Sequence, residues 1–391
     1  MMKTHDHSSL LWLYPGRIEC AMDSATWLAT SAELIRLGWQ VTLLAAGKPG
    51  TRRVGPVDVT FVAMPRVYLL RQVVFHAGLY WYLLNSPGAP DVIMFEQMSA
   101  PWLLPVRLLR GLLQKKRPLL VIDIRSLHMP DAATQGIKGR LRGFFQQFSM
   151  REARRWVDGY LTITPMMAEE ARVPGQMLLG VWPSGVELDV FRQAQSAHVW
   201  PASAEAVRLI YIGTLTAERN LLTLCRAVEQ ANAEGMTFEL ILVGSGDAQP
   251  ALAQFAKSTN GRIQVLPAVP HASVPGLLAG AHIGVLPFPA DVKFQVSSPI
   301  KLFEYMAAGM PLLATRITAH TSVAAGSEYV FWAESADAAG LVSALRLAWQ
   351  QRGNLAHLGA QAAAAAGAFT WRQSAVKLSN GLKTGLARFS E

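Results

Sequence analysis

Late in the chain, the run Ser297-Ser298-Pro299-Ile300-Lys301-Leu302-Phe303-Glu304 sets a cation and a carboxylate three residues apart, behind two hydroxyls and a proline. The serines and the proline read as a helix start, an N-cap followed by proline in the first turn, which leaves free N–H groups aimed outward. Lys301 then stands near the positive end of the helix, where a cation is unfavourable unless an anion is bound. Glu304 lies on the same helical face. Such a set can hold a pyrophosphate on the helix N-terminus and Lys301, while the Glu304 carboxylate accepts both hydroxyls of a ribose. The same two residues also fit an ordinary i, i+3 salt bridge.

Other residues with chemical potential sit where strands end. The apolar run 207–212 closes on Gly213-Thr214-Leu215, with Arg219-Asn220 just before the next helix. A strand-end glycine lets a ligand approach the backbone, and a helix start favours an anion that Arg219 can grip with its planar fork. The run 238–243 delivers Gly244-Ser245-Gly246-Asp247, a G-x-G that suits either a ligand floor or a plain turn. In the first half, Tyr14-Pro15-Gly16-Arg17, Phe95-Glu96-Gln97 and Ile124-Arg125-Ser126-Leu127-His128 follow apolar runs in the same way. Arg125 fits either a ligand or a structural pairing with Asp123.

The elements that must position these residues are short apolar runs alternating with helical patterns, the signature of α/β architecture with parallel sheets. Strands are expected near 10–13, 41–45, 57–63, 92–95, 119–124 and 159–164, with a helix over 24–37 closed by Gly38. Around 193–206 Ser, Ala, His and Pro replace the periodic apolar residues, which marks a linker. Beyond it strands near 207–212, 238–243, 263–266, 283–286, 311–315 and 330–332 alternate with helices, and the Ala-rich stretch 336–366 reads as helix. Two such halves imply a cleft in which ligands bind.

Composition limits the alternatives. The 391 residues are 51% apolar and 16% charged, which excludes a disordered or fibrous chain and suggests two or three domains. Cys20 and Cys225 are too few for a disulfide scaffold or a zinc site and read as buried small hydrophobes in a reducing compartment. The run 10–14 is too short for a secretory signal, and Val67 to Leu84, the most apolar stretch, is broken by Arg71 and His76. A formal charge of +9 is concentrated in residues 101–155, which carry 12 basic and three acidic side chains interleaved with leucines and with Phe144, Phe145 and Phe148. This reads either as amphipathic helices with solvated basic faces or as a surface for anionic lipid headgroups. Nucleic acid is not expected as a partner, since no reader motif occurs.

The order of strand-end glycine, Arg219, G-x-G, Ser-Pro-Lys-Glu and a Gly309-Met310-Pro311 exit resembles the nucleotide-binding domain of GT-B glycosyltransferases, and specifically the retaining family 4 (group 1). Residues 207 to about 345 follow the pattern almost continuously. Val181 to Phe191, Thr162-Ile163-Thr164 and the closing Phe369-Thr370-Trp371 are similar to further family segments. The resemblance implies a GT-B fold, two Rossmann-like parallel-sheet domains facing a central cleft. These would be an acceptor-side domain over 1–195 and a nucleotide-sugar domain over 196–370, with a C-terminal helix over 371–391 crossing back. It implies retaining transfer of a sugar from a nucleotide-diphospho-sugar to a glycan or lipid-linked acceptor hydroxyl, in bacterial polysaccharide or glycolipid assembly.

Carried onto matching positions, Arg219 and Lys301 would clamp the diphosphate with backbone donors at Ser297 and Ser298 before Pro299, and Glu304 would hold the ribose. Gly244 and Gly246 would shape the floor near the nucleoside, Gly213 and Thr214 would also belong to the donor site, and Leu266 and Ala268 would flank the base. His128 would meet the sugar, and Gly16, Arg17, Glu96 and Arg125 would face the acceptor. No cofactor is implied beyond the donor co-substrate, and no metal, since no D-x-D triplet occurs. The chain departs from the pattern at three points. Val296 stands eight positions before Glu304 where the family often has a second glutamate, Thr214 stands where an arginine is usual, and Gly16 stands alone where a glycine pair is common. A GT-B-fold UDP-sugar epimerase and a catalytically silent subunit that binds nucleotide sugar or lipid are the alternatives. The expected location is cytoplasmic, including the inner face of the cell membrane.

Overall fold

The computed structural model describes residues 8–18, 24–65, 67–86, 88–108, 117–127, 137–202 and 205–390. Its contacts divide the chain into two compact units, 1–183 with 371–391, and 184–370.

The first unit is built on an eight-stranded sheet. Its strands are β1 (Ser9–Tyr14), β2 (Gln40–Ala46), β3 (Gly50–Val54), β4 (Val57–Val62), β5 (Val92–Phe95), β6 (Leu119–Ile124), β7 (Gly159–Thr162) and β8 (Leu178–Val181), in the spatial order β3-β4-β2-β1-β5-β6-β7-β8. All neighbours are parallel except β3, which pairs antiparallel with β4 across a tight turn. Every residue of β5 and β6 is buried, as expected of parallel strands covered on both faces. One of these, Asp123, is a carboxylate.

The apolar stretch after β4 forms the helix Tyr68–Asn85. Phe75, His76, Leu79 and Leu83 face inward, whereas Leu70, Val73, Trp81 and Leu84 are exposed. Among the described residues no helix is long and apolar enough to cross a membrane. The last helix, Trp371–Ser390, belongs to this unit: Ala375, Leu378 and Leu382 join its core, and the Trp39 indole donates to Ser379 Oγ at 2.8 Å.

The second unit has six strands, β9 (Val207–Ile212), β10 (Phe238–Val243), β11 (Ile263–Leu266), β12 (Ile283–Leu286), β13 (Leu312–Thr315) and β14 (Val330–Ala333). They are all parallel, in the order β11-β10-β9-β12-β13-β14. The Ala-rich stretch is two helices, Ala338–Gln350 and Leu355–Ala366, separated by a 3-10 turn at Arg352–Asn354.

The boundary between the units differs from the expected one. Residues 184–195 pack with the second unit, because the helix Leu188–Ala197 buries Phe191 and Ala194 in its core and Gln195 Nε2 donates to the Ala307 carbonyl at 2.6 Å. The Ser/Ala/His/Pro stretch read as a linker is also held there: His198 Nε2 lies 2.8 Å from the Ala308 carbonyl, and the His198 ring packs on Trp200. Small and polar composition marked a surface segment as well as it would have marked a free one.

Candidate active site

In an open parallel sheet, ligands bind beyond the carboxyl ends of the strands where the strand order reverses. In the second unit that point lies between β9 and β12. The chain leaves β9 through Gly213-Thr214-Leu215, and these residues interlock with the turn after β10. Gly213 N donates to Val243 O, and Leu215 N to Ser245 O, both at 2.9 Å. A Cβ on Gly244 would overlap the Gly213 carbonyl, and one on Gly246 would overlap the Leu215 carbonyl. The G-x-G is therefore required by the close passage of two loops. Gly244, at φ +154°, also has a backbone conformation that residues with side chains rarely adopt.

Arg219 ends a one-turn 3-10 helix, Ala217–Arg219. Its Nη1 donates to the Tyr211 hydroxyl at 3.1 Å, its guanidinium lies 5.3 Å from the Phe288 ring centre, and its Nε is buried without a hydrogen-bond partner. The Tyr211 hydroxyl in turn donates to the Thr214 carbonyl at 3.1 Å. Asn220 adopts a left-handed conformation (φ 61°), and its Nδ2 donates to the Pro287 carbonyl at 3.2 Å and to that of Ala336. This fastens the Arg219 turn beside the end of β12.

Lys301 and Glu304 lie on the helix Ile300–Ala307. That helix is tied to β9 by Tyr305, whose hydroxyl accepts from Ile212 N at 2.9 Å. Glu304 is 3% exposed, with Lys301 Nζ 2.7 Å from Oε2 and His271 Nε2 2.9 Å from Oε1. Burial pushes the Glu304 carboxyl up, but the Lys301 charge and the hydrogen bonds from His271 and Lys301 outweigh it and hold the group below the usual glutamate range. Burial raises the Tyr305 phenol far above its usual value, with Tyr211 and Glu304 adding to the rise and the Ile212 N–H and Arg219 opposing it. Arg219, the two phenols and the carboxylate therefore share one electrostatic neighbourhood.

The serines serve differently from expectation. Ser297 N and Ser297 Oγ both donate to the Phe294 carbonyl, at 3.2 and 2.7 Å, because the short helix Val292–Gln295 ends just before them. Its backbone N–H is thus not aimed outward. Ser298 Oγ accepts from Ser184 N at 3.0 Å, and extended Pro299 occupies the N-cap position instead of the first turn. Val296 is fully buried, so its side chain cannot replace the absent glutamate at a ligand. The Leu266 carbonyl accepts from Gly244 N at 3.0 Å, and Ala268 is exposed in the loop leading to His271. His271 is the residue that the sequence did not single out. Its only local signal is a histidine in the loop after a strand, and the carboxylate it meets is 33 positions away.

In the first unit the order reverses between β1 and β5. Gly16 and Arg17 follow β1, Glu96 follows β5 and Arg125 follows β6. Gly16 O accepts from Ala46 N at 3.0 Å, while Arg17 and Glu96 are exposed. Gln97 Nε2 donates to the Ser126 carbonyl at 3.2 Å, which links the loops after β5 and β6. The Arg125 guanidinium lies 3.9 Å from the centre of a Trp182 ring, whose Nε1 donates to Asp123 Oδ1 at 3.0 Å. Burial raises the Asp123 carboxyl to about 6, against the Arg125 charge and the Trp182 hydrogen bond. His128 lies outside the described residues. Among those described, no three His, Cys, Asp or Glu side chains gather where they could hold a metal ion.

Residues 206–351 match the family model described as glycosyl transferases group 1. No curated protein matches the chain in sequence. Among solved structures it is similar to a sucrose-phosphate synthase from Thermosynechococcus elongatus (TM-score 0.74, 16% identity, 97% of this chain and 100% of that one). It is also similar to the catalytic domain of starch synthase IV from Arabidopsis thaliana bound to ADP and acarbose (0.73, 13%, 97% and 99%). A third is Alr3699/HepE of Anabaena in complex with UDP (0.67, 15%, 96% and 99%). At such identities these likenesses concern the fold. Residues 206–351 thus match the group 1 glycosyltransferase model, in a chain whose two parallel-sheet, Rossmann-like units have the fold of the GT-B glycosyltransferase structures.

Proposed function

We propose that the chain transfers a sugar from a nucleotide-diphospho-sugar to an acceptor hydroxyl with retained configuration, on the glycan or lipid-linked acceptors of bacterial polysaccharide or glycolipid assembly. The observation that carries this reading is the buried Glu304 carboxylate, paired with Lys301 beside the β9/β12 switch point where Arg219 is also held. In this reading Glu304 accepts the ribose hydroxyls, while Arg219 and Lys301 face the diphosphate. The bond between the anomeric carbon and the phosphate oxygen breaks with its electron pair staying on the diphosphate. Fixed cations stabilise the charge that develops there. The acceptor oxygen bonds to the anomeric carbon on the face the phosphate leaves, and its proton passes to the departing phosphate oxygen. The two arginine and lysine charges supply what a metal otherwise would.

Calorimetry with UDP-, GDP- and ADP-linked sugars, with EDTA present, tests the reading together with a transfer assay. One donor should bind and turn over. Binding without turnover would make the chain a silent subunit, inversion of the donor sugar with no acceptor would make it an epimerase, and binding of none would overturn the reading.

A peripheral position on the inner face of the membrane is part of the proposal. It is supported by the exposed apolar side chains of the first unit: Trp81 is 65% exposed and Phe144 69%, with Leu108, Phe145 and Phe148 also open. The helix Tyr68–Asn85 lies beside Ala100–Leu108, since His76 stacks on Trp102 at 5.0 Å and the Tyr80 hydroxyl donates to the Trp102 carbonyl at 2.7 Å. The helix Ile137–Ala153 packs on Ala100–Leu108 in turn. Some of the local charge is already engaged, Arg107 and Arg117 with Asp158 and Arg155 with Glu152. Sedimentation with anionic vesicles should exceed that with neutral ones and should fall about tenfold in a W81S/F144S variant. Equal partitioning to both vesicle types would remove the electrostatic part of the proposal.

A further inference from the structure

The Glu304 carboxylate is held at both ends before any ligand arrives. Lys301 Nζ takes Oε2 at 2.7 Å, and His271 Nε2 takes Oε1 at 2.9 Å. An ionised carboxylate only accepts, so the His271 nitrogen facing it must carry the hydrogen. His271 comes from another part of the fold, the 3-10 turn His271–Ser273 that follows β11. Its ring stands edge-on to Phe191 with 6.1 Å between ring centres, and Phe191 is 1% exposed on the helix Leu188–Ala197. The imidazole is therefore buttressed from behind while 45% of its side chain stays open.

A carboxylate offers about four lone-pair sites, two per oxygen. With one site on each oxygen occupied by His271 and Lys301, one remains on each. We infer that His271 is a positioning residue for ribose recognition: it fixes the rotation of the Glu304 carboxylate so that each oxygen keeps one lone pair for one of two vicinal hydroxyls. Lys301 alone cannot do this, because a single donor on Oε2 leaves the carboxylate free to turn about its last bond. An ammonium is also a compact, rotatable point charge with no planar preference. His271 further ties the loop carrying Ala268 to the helix of Glu304, so the part of the site expected to flank the base and the part expected to hold the ribose are joined by one hydrogen bond.

The inference rests on the ribose reading of Glu304 above, and the experiment separates the two. Calorimetry compares UDP with 2′,3′-dideoxy-UDP, and likewise the ADP and GDP pairs, on the wild-type protein, His271→Ala and His271→Gln. The wild type should prefer the hydroxylated nucleotide. In His271→Ala that preference should shrink by about 10-fold or more, with affinity for the dideoxy nucleotide unchanged. His271→Gln should restore most of the preference, since its amide can donate to the same oxygen. In the transfer assay, KM for the donor should rise while kcat at saturation stays within about twofold. If the wild type does not discriminate within any pair, the ribose reading of Glu304 fails. If the wild type discriminates and His271→Ala discriminates equally, or loses both nucleotides in parallel, His271 does not position the carboxylate and the inference is overturned.

Discussion

Glu304→Gln is expected to weaken donor binding by about 100-fold or more. Two ribose hydroxyls would lose a charged acceptor, and hydrogen bonds to charged groups contribute about 1.5–3 kcal/mol each. The amide keeps the shape of the side chain but turns one acceptor oxygen into a donor, aimed at Lys301 or His271, which are donors themselves. Gln is a better probe than Ala because truncation would strand the Lys301 ammonium, whose side chain is 19% exposed, without its counter-charge. A companion variant, Lys301→Met, exposes the electrostatic logic. The Glu304 carboxyl sits below its usual range because Lys301 and His271 outweigh burial. Without Lys301 the balance moves toward burial, and the folded-state pKa rises. The ionised form proposed to accept the hydroxyls is then lost as pH falls, from a higher pH than in the wild type. Donor affinity followed by calorimetry from pH 8 downward should therefore decline earlier in Lys301→Met. Wild-type affinity in Glu304→Gln, measured on a protein with a normal melting curve, would end the assignment of this carboxylate to the donor.

Gly244→Ala is the second large effect, and it acts through the backbone. At φ +154° an L side chain is strained, and the added carbon would overlap the Gly213 carbonyl, which cannot rotate away as a side chain could. Backbone strain of this kind costs about 1–3 kcal/mol, and forced overpacking a similar amount. For a unit of this size each kcal/mol lowers the melting temperature by about 2–4 °C, so a loss of roughly 4–24 °C is expected. Donor binding should suffer as well, because the displaced segment 213–215 includes Thr214, whose carbonyl anchors the Tyr211 hydroxyl that receives Arg219. Ser245→Ala, at the exposed residue next to it, is the control and should melt like the wild type. A Gly244→Ala protein with unchanged melting and donor affinity would show that the two loops can separate freely and that their close passage is not required.

Much of the second unit was legible residue by residue. Strands ending in Gly213 and Gly244 and a helix carrying Lys301 and Glu304 on one face depend on periods of two and 3.6 residues and on backbone rules, which are local. The Ser297-Ser298-Pro299 cap misled for an equally local reason: a short helix directly before it supplied a carbonyl that drew the Ser297 donors away. In the first unit, apolar runs located most strands but not the engagement of Arg125 with Trp182, which lies 57 positions further along.

The sequence by itself determined an α/β chain with paired parallel sheets, the family pattern over its second half, and a cation and a carboxylate one helical turn apart. Only the tertiary structure decided that His271 closes on that carboxylate, that Asn220 pins the Arg219 turn to the end of β12, and that residues 184–195 pack with the second unit. The reason is that a parallel sheet orders its strands by long crossovers. Residues at neighbouring strand ends can therefore be tens of positions apart, and no local pattern in the sequence records which of them will meet.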